Sequence, residues 1–185
     1  MNEYIIYSDG SCKGVTIRHG GWAAIICDSQ NNLVKKIYGS LRNTTSQRME
    51  LYAAIEGLKA ITEPSTIKVI SDSQYVVSTI NNNWLTKILE NPEEFSNIDL
   101  WKQMALLLDY HNITFEWTKG HANNVMNNLA DKLAQFAAIV LNAPDDEYTN
   151  HSKESGKSLV SKSETWGSNG SNIGSKNGEV LYSLG

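Results

Sequence analysis

Apolar and polar positions follow the short period of strands early in the chain and the longer period of helices later. Tyr4 to Asp9 (YIIYSD) is a β-branched and aromatic run that halts at an acid, which predicts a first strand. Gly20 to Asp28 (GGWAAIICD) and Leu33 to Ser40 (LVKKIYGS) predict two more, joined through the turn residues Ser29-Gln30-Asn31-Asn32. Thr44-Thr45-Ser46 then offers an N-cap to a helix through MELYAAIEGLKAI (Met49 to Ile61), and Pro64 lies past its end. Ile67 to Ser71 (IKVIS) predicts a fourth strand, followed by a helix from about Ser73. A helical segment at Asp99 to Tyr110, a strand at Ile113 to Thr118 (ITFEWT) and a long helix at Asn124 to Leu141 complete the pattern.

The order β-β-β-α-β-α-α-β-α predicts an α/β domain, a mixed sheet flanked by helices with strands one and four as parallel neighbours. Ligands in such sheets bind beyond the carboxyl ends of parallel strands, and Asp9 and Asp72 stand at two of those ends. The composition breaks near Ala143-Pro144. From residue 143 onward Ser, Gly and Asn supply 19 of 43 residues and no apolar period survives. That predicts a domain of residues 1–142 and a disordered tail of residues 143–185, in which only Glu179 to Leu184 (EVLYSL) resembles a docking peptide.

With 41% hydrophobic and 19% charged residues the chain reads as a globular protein. No apolar run approaches the roughly 20 residues needed to cross a bilayer. MNEYIIYSDG lacks a basic region followed by an apolar stretch, and two cysteines are too few for a disulfide framework. A cytoplasmic protein with free thiols and no membrane contact is expected. The net charge of −4 looks unsuited to a phosphate substrate, but half of it lies in the tail. Two divalent cations held by acids of residues 1–142 would turn that part from −2 to +2, so mild acidity excludes nothing.

Two neighbouring aspartates resist joint ionisation unless a cation sits between them, and carboxylates without matching thiols favour a hard ion such as Mg²⁺. Asp9 and Asp72 are candidates on that ground, against the plainer roles of a turn acid before Gly10-Ser11 and a helix N-cap. Glu50 is a third candidate, because its neighbours on the helix, Ala53, Ala54 and Gly57, are small enough for a close approach. His121 follows a strand and a glycine, where a proton shuttle could work. Asp131 lies on the last helix. On a wheel it falls opposite Leu129, Leu133 and Val140, while Ala130, Ala134 and Ala138 make the other side apolar too, so periodicity leaves its direction open.

Taken together, YSDGS with GGWAA, TTSQRMEL, ISDSQYV, NIDLW and WTKGHANN…NNLADKLA resemble the type 1 ribonuclease H family across about residues 4 to 140, in order and spacing. The resemblance implies an RNase H-like fold with a five-stranded mixed β-sheet flanked by α-helices. It implies endonucleolytic hydrolysis of the RNA strand of RNA–DNA hybrids, leaving 3′-hydroxyl and 5′-phosphate ends. Residue by residue it assigns Asp9, Glu50, Asp72 and Asp131 as ligands of two Mg²⁺ ions, with Mn²⁺ as a substitute. His121 becomes the loop histidine that assists product release or proton transfer. Gly10, Ser11, Cys12 and Gln74 are implied readers of the 2′-hydroxyl, Ser46 and Gln47 hold the positions that grip the DNA strand, and Asn127 joins the nucleic-acid contacts. The implied partner is an RNA–DNA hybrid duplex bound by a monomer, with the tail as a tether to a replication protein. Rival readings are another nuclease of the same fold, which KGHANN with an intact SDSQ argues against, and a catalytically silent hybrid-binding module.

One departure has a measurable consequence. Some bacterial relatives carry a basic, Trp-rich protrusion after the helix that follows the third acid. Here that region reads NNNWLTKILENPEEFSNIDLW, with Glu90, Glu93 and Glu94 inside it and only Lys87 and Lys102 nearby. Few phosphates would be neutralised there, so weak hybrid affinity with a shallow salt dependence is expected. A binding titration against salt whose slope equals that of a basic-handled relative would refute this.

Overall fold

The computed structural model describes residues 1–120, 123–140, 142–148 and 182–184, the last as backbone only. The strands are β1 (Asn2–Lys13), β2 (His19–Asp28), β3 (Leu33–Arg42), β4 (Ser65–Ser71), β5 (Asn112–Trp117) and β6 (Tyr182–Leu184). The helices are α1 (Ser46–Lys59), α2 (Gln74–Asn81), α3 (Trp84–Glu90), α4 (Ile98–Tyr110) and α5 (Val125–Val140). Five strands in the order β5-β4-β1-β2-β3 form the expected mixed sheet, and β6 adds a three-residue ladder outside β3. β1 pairs antiparallel with β2 and parallel with β4, and β4 is parallel to β5.

Alternation along β1 sorts its side chains between two layers. Ile6 points into the larger core, beneath α1, α2 and α4, while Tyr7 joins a smaller cluster with Ile25, Cys27, Ile70 and Ala130 under α5. β2, covered on both faces, is apolar at nearly every position, as a central strand should be. Two glycines set how closely the layers approach. A Cβ on Gly57 would press on Ala24 and Ile6 at 2.9 Å, and one on Gly21 would overlap backbone atoms of Ala134 and Ala138. The small-residue stripe on α1 therefore lies against the sheet as its sequence suggested.

Three expectations need correction. β1 runs on past Asp9 to Lys13; what ends near the acid is the parallel pairing with β4, whose last partners are Tyr7 and Ile70. Three helices, not two, separate β4 from β5. The extra one, α3, begins after Asn83, whose left-handed backbone (φ 55°) breaks the helix continuing from α2. Finally, the chain is not free at residue 143. Arg42 N–H donates to Pro144 O at 2.7 Å and Asp146 N–H to Arg42 O at 2.8 Å, so residues 143–148 strap across the end of β3. The remainder of the expected tail, apart from β6, lies outside the described residues.

The strap closes on Arg48, in the first turn of α1, whose N-cap is Thr45. Arg48 is 1% exposed. Its Nε donates to Asp146 Oδ2 at 2.7 Å, and Nη1 and Nη2 donate to the two oxygens of Asp99 at 2.9 Å each. Its guanidinium carbon stands 4.1 Å from the Tyr148 ring centroid. Asp146, 2% exposed, also accepts from Thr44 Oγ1 at 2.7 Å. A buried cation survives only where partners replace its hydration, and the planar fork suits two carboxylates at once. Asp146→Ala leaves Arg48 short of a buried partner and should cost about 3–5 kcal/mol. Urea denaturation checks this, and a midpoint equal to the unaltered protein's would show that the strap is not anchored there.

Candidate active site

Register brings the first two acids together. Asp9, still within β1, and Asp72, one residue past the end of β4, each lie two residues beyond the Tyr7–Ile70 pair that closes the parallel ladder. By the period of two, Asp9 shares a face with Tyr7, which is the α5 side. The N-cap role for Asp72 falls away, because Ser73 caps α2 by accepting from Val76 N–H at 3.3 Å. Asp72 sits half-buried in the bend between strand and helix.

The other two acids arrive on helices. A Cβ at Gly10 would overlap the backbone of Met49 and Glu50, so only glycine lets β1 come this close to α1 and deliver Glu50 beside Asp9. On the opposite layer α5 turns its alanines inward: Ala130, Ala134, Ala137 and Ala138 are buried, while Phe136, Ile139 and Val140 are exposed. The inward stripe is the small one, and Asp131 flanks it, half-buried.

Electrostatics report how near the four are. Asp9 is 7% exposed. Burial first, then the charges of Asp72, Asp131 and Glu50, push its carboxyl up from 3.8 to about 8. Glu50 is raised by its own burial and by Asp72, against a hydrogen bond that pulls it back. That bond is from Ser73 Oγ to Glu50 Oε2 at 2.5 Å, and Gln135 Nε2 likewise donates to Asp131 Oδ1 at 2.7 Å. The acids converge without forming a cage: among the described residues, no three His, Cys, Asp or Glu side chains are close enough as they stand to hold one ion. The donor set nonetheless fits a hard divalent cation. Asp9 is a poorly hydrated acid whose ionisation is resisted by three neighbouring carboxylates, all oxygen donors, and a cation would offset that repulsion.

Of the remaining candidates, those the structure describes lie close in sequence to the four acids. Gly10, Ser11 and Cys12 continue along β1, half-buried, with Cys12 Sγ 3.7 Å from Thr44 O. Ser46 and Gln47 open α1, the first half-buried and the second exposed, and Gln74 opens α2 in solvent. Asn127 lies one turn before Asp131, 2% exposed, and its Oδ1 has no hydrogen-bond partner among the described residues. His121 lies outside the described residues. Sequence reasoning missed Ser73 and Gln135, the side chains holding Glu50 and Asp131. The spacing of Gln135 four residues after Asp131 was the available signal for one of them. Ser73 was legible only as a cap.

A family model of RNase H matches residues 1–139. A protein named ribonuclease H from Caldicellulosiruptor saccharolyticus is 43% identical over 141 residues, which is 73% of this chain and 95% of that one. Among solved structures, the RNase H domain of prototype foamy virus matches with a TM-score of 0.63 at 26% identity, over 76% of this chain and 97% of that one. LC11-RNase H1, solved in complex with an RNA/DNA hybrid, matches with a TM-score of 0.58 at 19% identity, over 73% and 96% of the two chains, a likeness of fold.

The raised acid makes a prediction for metal-free protein. A carboxyl whose folded pKa exceeds its unfolded one favours the folded state only while protonated. The contribution of Asp9 is therefore complete below about pH 4 and is lost as pH rises toward 8. In chelator, Asp9→Asn should be more stable than the unaltered protein at pH 8 by on the order of 5 kcal/mol, with the gain vanishing near pH 4. Thermal melts across that range test it; equal Tm values at pH 8 would contradict it.

Proposed function

The chain belongs to the RNase H family, and from that membership we propose that it cuts the RNA strand of RNA–DNA hybrids endonucleolytically, leaving 3′-hydroxyl and 5′-phosphate ends. The observation that carries the reading is the environment of Asp9, a buried acid at a parallel-strand junction with three further acids in electrostatic range. Asp9, Glu50, Asp72 and Asp131 would hold two Mg²⁺ ions, with Mn²⁺ able to stand in. When bound, such a pair supplies activation of a water and stabilisation of the departing 3′ oxygen. Asp9 is central to the set, since all three other acids act on it. Ser73 and Gln135 restrain Glu50 and Asp131 near the corner.

Strand choice requires contact with a 2′-hydroxyl, which both donates and accepts. Gln74, exposed two residues after Asp72, and the β1 segment Gly10-Ser11-Cys12 offer neutral polar groups on that side. Asn127 contributes an unsatisfied buried carbonyl beside Asp131. Ser46 and Gln47 present a hydroxyl and an amide at the N-terminus of α1, where backbone N–H groups favour a phosphate. His121 is assigned to product release or proton transfer. A monomeric state, a cytoplasmic location and a replication-protein contact through the tail complete the proposal.

Cleavage of a labelled RNA–DNA hybrid, with and without Mg²⁺, tests it beside Asp72→Asn. The variant should lose about three orders of magnitude or more in rate while keeping its circular dichroism spectrum, because an amide is a poor ligand for a hard cation. Metal-independent cleavage, or a fully active variant, would refute the assignment. A hybrid that binds without being cut would favour a silent binding module.

A further inference from the structure

The segment after β5 holds Asp72 from two sides. Thr118 N–H donates to Ser71 O at 3.0 Å, continuing the ladder past the Ser71–Trp117 pair. Trp117 Nε1 donates to the backbone oxygen of Asp72 at 3.0 Å, with the indole 47% exposed beside the site. Gly120 lies against the carboxylate. A Cβ built there would meet only Asp72 at closest range, at 2.6 Å from Oδ2, 3.5 Å from Cγ and 3.7 Å from Cβ. Gly120 is not needed for a left-handed backbone, since Gly14 is the one described glycine with positive φ. Its own conformation suits any residue; what it leaves free is the space filled by one carboxylate oxygen.

We propose that Gly120 and Trp117 are positioning residues for Asp72, the glycine by leaving room for the carboxylate and the indole by fixing the carbonyl of the same residue. The proposal rests on reading Asp72 as a cation ligand. Two effects of alanine at residue 120 then carry opposite signs. Replacing a glycine of ordinary backbone geometry reduces the freedom of the unfolded chain and does not weaken the fold. The added methyl pushes aside the tip of a flexible side chain, which costs the fold little, but Mg²⁺ demands near-ideal geometry and a displaced ligand binds it poorly. A glycine kept for packing would show the reverse.

The test uses the full chain, with Gly120→Ala and Trp117→Phe. Tm is measured in chelator, and Mg²⁺ affinity is measured by calorimetry without nucleic acid. Gly120→Ala should keep or slightly raise the metal-free Tm while weakening Mg²⁺ binding at least about tenfold, the scale set by sub-ångström misplacement of a reacting group. Trp117→Phe, which keeps a ring and loses one N–H donor, should weaken it about two- to tenfold. Raising Mg²⁺ should restore hybrid cleavage in both. Unchanged Mg²⁺ affinity in Gly120→Ala, or a fall in metal-free Tm without loss of affinity, overturns the positioning role. If the unaltered protein binds no Mg²⁺, the cation reading fails and the positioning role with it.

Discussion

Like charges brought together in a poorly hydrated corner repel, and nothing in their own chemistry holds them there. The scaffold must therefore impose the convergence of Asp9, Glu50, Asp72 and Asp131, and most of its unusual features do so. The register of the parallel β1–β4 ladder puts Asp9 and Asp72 each two residues past its last pair. Gly10 lets one helix approach the sheet, and Gly21 with the alanines of α5 lets another approach from the opposite side. Four acids far apart in sequence are placed by one ladder register and two close backbone contacts. Each is insensitive to the acids themselves, so the framework can tolerate the repulsion it creates.

The helix that carries Glu50 is secured by the opposite device, a cation sunk among anions. Arg48 is two residues from Glu50 and shares its first turn, but it points into a nest formed by Asp99, Asp146, Asn97 and Tyr148. The same corner is tied to α2 and α4, because Asn97 Nδ2 and Trp101 Nε1 both donate to the Tyr75 hydroxyl. Tyr75 in turn stands three residues after Asp72. The helices that follow Asp72 and carry Glu50 thus share one polar anchor.

The five strands, the mixed sheet and the close approach of α1 were legible because each rests on a local pattern: β-branched runs, an N-cap, a stripe of small residues. Asp131 was not. A wheel ranks side chains by apolarity, and α5 exposes Phe136, Ile139 and Val140 while burying alanines, so apolarity on both sides left the direction of Asp131 open. Steric room, not hydrophobicity, decides that interface. Ser73 and Asp72 could not be told apart as caps, since both residue types serve, and only the hydrogen bond to Val76 separates them. The strap escaped notice because composition marks where apolar periodicity stops, whereas its hold is a buried ion pair and a few backbone hydrogen bonds to β3.

That ion pair joins residues 98 apart in sequence, Arg48 near the start and Asp146 past the last helix. During synthesis the guanidinium waits almost a hundred residues for the carboxylate that completes its solvation shell. Until then α1 can pack its apolar face but cannot seal its first turn away from water. Burial of the first turn of α1 is therefore completed only once residue 146 has been added, and a nascent chain stalled before it carries the acids of the corner without the clasp that steadies them.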